Sequence, residues 1–109
     1  MARTLLACLV AAMFTSAPAA QQTFRGTITD ATCAQTGHAA MRMGPTDAEC
    51  TQLCVTLHRD EYVLLVEKEI YRLSDQQLPA EFAGAAVEVT GTLDAETKTI
   101  RVDAIRSSR

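Results

Sequence analysis

The sequence predicts a mainly β domain, a small barrel of five short strands with minor α content. Three observations predict it. Apolar and polar residues alternate with period two in several separate runs between residues 23 and 106. Turn-forming residues punctuate those runs. Only one stretch, residues 47–58, has the spacing of an amphipathic helix.

The chain begins with a segment that does not belong to the barrel. Arg3 gives a short positive start, residues 5–14 form an apolar run, and Ser16-Ala17-Pro18-Ala19-Ala20 form a small-residue end. Those are the three regions of a cleavable secretory signal. The apolar run is shorter than the roughly 20 residues needed to span a bilayer. Leu5-Leu6-Ala7-Cys8 makes a poor lipoprotein box, because the apolar run continues past it. The expected layout is therefore a signal peptide at 1–20 and a single domain at 21–109, exported to the periplasm or beyond the cell.

In the mature chain, residues 23–30 alternate. Phe24, Gly26 and Ile28 take one face, and Thr23, Arg25, Thr27 and Thr29 take a wet one. Gly26 within the run predicts a bend or a close backbone approach. Residues 31–45 read as a loop, with one helical turn around His38 to Met43. Thr46 with Glu49 three residues on has capping-box spacing. Cys50, Leu53, Cys54 and Leu57 then lie at i, i+3, i+4 and i+7, the stripe of a helix over 47–58.

Residues 61–67 are apolar on both faces and read as a buried strand. Glu67-Lys68-Glu69 makes a tight turn into a returning strand at 70–73. Ser74 is placed to cap a short helical segment over 75–82, which Pro79 weakens. Residues 86–93 alternate again, with Val87, Val89, Gly91 and Leu93 inward and Glu88, Thr90 and Thr92 outward. Asp94-Ala95-Glu96 turns the chain into a last strand over 97–106, with Ile100, Val102 and Ala104 inward. Ile105 breaks that alternation and predicts an end or a bulge there.

A five-stranded chain hides its edges best by closing on itself. With a helix between strands 1 and 2 and a short helical segment between strands 3 and 4, the order of elements fits an OB-type barrel. Gly26 and Gly91 sit where such a barrel bends.

Several of these residues also occur together elsewhere. The run Gly26-Thr27-Ile28-Thr29-Asp30, the cysteine at 33, the histidine at 38 and the pair Cys50 and Cys54 resemble a family of small exported bacterial proteins of uncharacterised function with OB-fold-like domains. Tyr62-Val63-Leu64, Ile70-Tyr71-Arg72-Leu73 and the stretch from Ala83-Gly84 to Val89-Thr90-Gly91-Thr92-Leu93 share in the resemblance, which spans nearly all of the mature chain. It implies the OB-type fold and the exported location, and it brings no activity.

The cysteines carry the chemistry. The chain has four, and loss of the signal peptide removes Cys8. Cys33, Cys50 and Cys54 remain, an odd number for a protein in an oxidising compartment. With His38 they make a complete set for a tetrahedral metal site, such as zinc. Met41 and Met43 add soft thioether ligands next to His38, and a soft ligand set selects Cu(I). Core filling is the ordinary use of such methionines. The other reading of the cysteines is a single disulfide, Cys33 with Cys50 or Cys54, worth roughly 2–4 kcal/mol in a small domain. Cys50 and Cys54 make a poor pair one turn apart on a helix. The residues leave both readings open: an exported domain binding Zn or Cu at Cys33, His38, Cys50 and Cys54, or a metal-free interaction module stapled by one disulfide.

Other classes are disfavoured. Cys33 with His38, or Cys54 with His58, offers a nucleophile and a base. No oxyanion loop, orienting third residue or C-x-x-C motif accompanies either pair, so a non-enzymatic domain is expected. Asp60, Glu61, Glu67 and Glu69 lack calcium-loop spacing and read as solvated hairpin flanks. The formal charge is −3 and becomes more negative when Arg3 leaves, which argues against nucleic acid. The expected partner is an envelope protein or a small ligand on the barrel face, and the domain is expected to be a monomer.

Overall fold

A computed structural model describes residues 8, 10 and 20–108 of the chain. Apart from Cys8, Val10 and Ala20, the expected signal peptide lies outside the described residues. The described chain forms five strands, β1 (Gln22–Asp30), β2 (Tyr62–Val66), β3 (Glu69–Leu73), β4 (Ala86–Asp94) and β5 (Thr99–Ser107). Two α-helices, α1 (Ala31–Thr36) and α2 (Asp47–His58), and two 3-10 turns, His38–Met41 and Leu78–Phe82, complete it.

β1 serves two neighbours. Gln22 to Thr27 pair antiparallel with β4, and Thr27 to Asp30 pair antiparallel with β2. The change of partner requires a bend, and Gly26 permits it. A Cβ there would overlap the carbonyl oxygen of Leu65 on β2. β2 returns as β3 through a tight turn at Glu67 and Lys68, in antiparallel register. β4 and β5 form a long antiparallel hairpin. Parallel pairing of Arg72 and Leu73 with Thr99 and Ile100 then joins β3 to β5. The five strands form one mixed sheet closed in a ring, in the order β1-β2-β3-β5-β4. This is the OB-type arrangement predicted from the order of elements.

The ring encloses Ile28, Leu64, Leu73, Val87, Val89, Ile100 and Ile105. Inward alternation on β4 holds as predicted. On β5 it slips. Thr90 faces Ala104 but Gly91 faces Val102, so Asp103 has no residue opposite it. That bulge turns Ala104 out to solvent, against expectation, and brings Ile105 inside. Glu88 lies on the outer face as predicted, yet its side chain is only 10% exposed, held between Arg25 and Arg106.

The segment between β1 and β2 is more helical than predicted. Residues 31–36, expected as loop, form α1 because the Asp30 carboxylate caps it, accepting from Cys33 N at 3.0 Å. The turn expected around His38 to Met43 is the shorter 3-10 turn. α2 spans the predicted residues, and Thr46 Oγ1 accepts from Glu49 N at 3.1 Å. Its buried stripe is rotated from the expected one. Cys50, Thr51 and Cys54 are buried, Leu53 is half-buried and Leu57 is exposed. Between β3 and β4, the Leu78–Phe82 turn has no side-chain cap, and Asp75 rather than Ser74 holds the approach to it, accepting from Gln77 N and Leu78 N. The Ser74 hydroxyl instead accepts from Val102 N on β5.

Candidate metal centre

Cys33, Cys50 and Cys54 form a buried cluster of their own, separate from the core inside the ring, with Met43 packed against it. The end of β1 founds this cluster. Thr29, predicted to be wet, is buried, because α2 lies over this end of the strand. Asp30, fully buried, accepts from Cys33 N with one carboxylate oxygen and from the Thr51 hydroxyl with the other, at 3.1 Å. One side chain thereby starts α1, sets the position of Cys33 and fixes the rotation of α2.

Gly37 ends α1 with a φ of 79°, in the region that favours glycine, and its N–H donates to the Cys33 carbonyl. The 3-10 turn that follows brings His38 back over β1, with Nε2 at 3.5 Å from Thr29 Oγ1. The chain then passes along α2. Met43 N donates to Cys50 Sγ, and the Cys50 thiol donates to the Met41 carbonyl, both at 3.4 Å. The Cys54 thiol points at Met43 Sδ, 3.9 Å away.

The ligand atoms fall into two overlapping triads. The thiols of Cys33 and Cys50 and a ring nitrogen of His38 lie within 4.8 Å of one another. So do the thiols of Cys33 and Cys54 and a carboxylate oxygen of Asp30. The three cysteines are 4%, 0% and 1% exposed in chain order. No disulfide joins them, and each thiol is free. Each of the four residues singled out in the sequence thus lies in a triad close enough to hold a metal ion, but no one triad contains all four. Met43 joins them. Met41 is 46% exposed and meets the cluster through its carbonyl oxygen.

One feature sets the cluster apart from thiols in an ordinary core. His38 Nδ1 is buried and has no hydrogen-bond partner, an arrangement that costs about 1–3 kcal/mol when nothing satisfies the atom. Two of the thiols, Cys33 and Cys54, are held toward their neutral form. Burial, then a hydrogen bond with and the charge of Asp30, then Cys50, push Cys33 far above the ordinary thiol range. Cys54 is pushed up to about 11, first by burial and then by the charges of Asp30 and Cys50. A neutral thiol is a weak nucleophile, whereas a bound cation reverses this balance and deprotonates a coordinating thiol outright.

The sequence reading missed Asp30, Thr29 and Thr51. Asp30 carries a usable signal, since an Asp three residues before the first cysteine is a helix N-cap pattern. Thr29 and Thr51 carry none, because a threonine on a strand or helix reads as surface. The remaining candidates are elsewhere. His58 is exposed in the last turn of α2, whereas Cys54 is buried. Asp60 accepts from Thr32 N and Glu61 N, Glu61 pairs with Arg72 and Glu69 with Lys98. A concavity of about 690 Å³ at the β4–β5 hairpin, lined in part by Arg72, Asp94 and Arg101, shares no residue with the cluster. No helix among the described residues is long and apolar enough to cross a membrane.

Comparison of the chain with family models, with curated proteins and with solved structures gave no match.

Proposed function

We propose that the protein is an exported, non-enzymatic OB-type domain that binds a thiophilic transition metal, Zn(II) or Cu(I), at Cys33, His38, Cys50 and Cys54. The observation that carries this is that three free, buried thiols and a histidine with an unpartnered ring nitrogen fall, with Asp30, into two close triads that share Cys33. Three soft sulfurs and one imidazole suit both metals. Met43 beside Cys54 adds a thioether that favours copper. The signal-like chemistry of residues 1–20 supports export.

Metal would also do structural work. α1, the 3-10 turn and α2 present few apolar side chains to the ring, so a shared ion would tie these elements to one another. Intact mass of protein purified from the exported fraction, measured native and then denatured, tests the proposal. A native species heavier by a metal that is lost on denaturation supports it. A metal-free species lighter by two hydrogens, with Cys33 joined to Cys50 or Cys54, overturns it in favour of the stapled module.

A further inference from the structure

The ligand atoms do not form one mutually close group of four. They form two groups of three, Cys33/His38/Cys50 and Asp30/Cys33/Cys54, and Cys33 belongs to both. A single tetrahedral ion would need all four at once. Two ions would each need one triad and would share the Cys33 sulfur, and a thiolate with several lone pairs is able to bridge. On the reading that this cluster binds metal, we infer that it holds two thiophilic ions bridged by the Cys33 thiolate.

Position and charge both support the pair. Cys33 leaves α1 between β1 and α2, and its thiol reaches both Cys50 and Cys54 on α2. Met43 Sδ lies beside Cys54, so the second triad has a fourth donor at hand, a soft thioether. The Met41 carbonyl lies beside Cys50, on the side of the first. With all three cysteines bound as thiolates, they and the buried Asp30 carboxylate carry four negative charges, twice what one divalent ion balances. A second divalent ion removes that excess, and buried charge is tolerated only when compensated. Loading is proton-balanced: each thiol loses its proton to solvent as its sulfur binds, one proton per cysteine, with no redox change.

Metal titration of the reduced, metal-free protein tests this, with Zn(II) in one arm and Cu(I) in the other. Native mass spectra give the stoichiometry, and a colorimetric chelator in competition gives affinity. The expected result is saturation at two ions per chain with at least one of the metals. His38→Ala and Cys54→Ser each remove one triad and are expected to lower the count from two to one. Cys33→Ser, which removes the shared ligand, is expected to lose the pair. Circular dichroism of each variant checks that the ring has folded, and His38, half-buried on a turn, is the substitution least able to disturb it. Saturation at one ion with both metals overturns the bridge and leaves the metal-binding proposal standing. So does a count of two that neither His38→Ala nor Cys54→Ser changes. Failure to bind either metal overturns both.

Discussion

Asp30 is the residue on which the site depends. Both of its oxygens are used inside the protein, one by the α1 backbone and one by Thr51. Thr51→Val keeps the shape and removes the hydroxyl, leaving a buried carboxylate oxygen short of a donor. Urea unfolding of the metal-free protein is expected to show a loss of about 1–3 kcal/mol, and Thr51→Ser is expected to recover most of it. His38 gives the opposite expectation. Its Nδ1 has no partner without metal, so His38→Ala leaves the metal-free protein as stable as before or slightly more so. The same change weakens metal binding, which a chelator competition reads directly. At this scale the sequence was legible for the residues with distinctive chemistry, the cysteines and His38, and silent for the threonines. A hydroxyl becomes informative only when a specific carboxylate is known to face it.

The elements differ in how plainly the sequence announces them. α2 has a cap at Thr46, a capping-box partner at Glu49 and two full turns of periodic apolar residues, and its limits were readable. α1 is six residues long and has no periodicity, so only the Asp30 cap betrays it. The rotation of α2 was not readable either, because Cys50 and Cys54 sit on the predicted stripe and on the true one alike. Thr51, through its bond to Asp30, decides between them. Among the strands, β4 and β5 were legible and their bulge was not placed. Ile105 signalled it, while the unpaired residue is Asp103. Gly91 sits opposite this bulge, and a Cβ there would overlap the Arg101 carbonyl oxygen. Gly91→Ala is therefore expected to cost about 1–3 kcal/mol by overpacking, measured by chemical denaturation, with the β4–β5 register as the part that yields.

At the scale of the whole molecule, alternation predicts strands and their faces but not the partner that closes a ring. Two parallel residue pairs between β3 and β5 perform that closure, and it was inferred from element order alone. The ring and the cysteine cluster are distinct packing units, joined through the end of β1. Metal removal is thus expected to loosen α1 and α2 first and leave the ring, visible as amide exchange concentrated in residues 31–58. The metal-free protein also has a defined alkaline weakness. Cys33 and Cys54 hold their protons more tightly folded than unfolded. Their contribution to stability is complete below the ordinary thiol value of 9.0 and declines as pH rises toward the Cys54 value of about 11. Tyr62, raised by burial, acts in the same direction. Thermal melts of the metal-free protein are expected to fall through that window, and Cys54→Ala is expected to flatten the fall.

The central claim is that sulfur and one imidazole hold a metal in this cluster. X-ray absorption fine structure of the zinc-loaded protein tests it most directly, because it counts the donor types around the ion. The expected shell is dominated by sulfur at about 2.3 Å with a nitrogen at about 2.0–2.1 Å. A shell of oxygen and nitrogen alone would place the zinc elsewhere on the protein and contradict the claim.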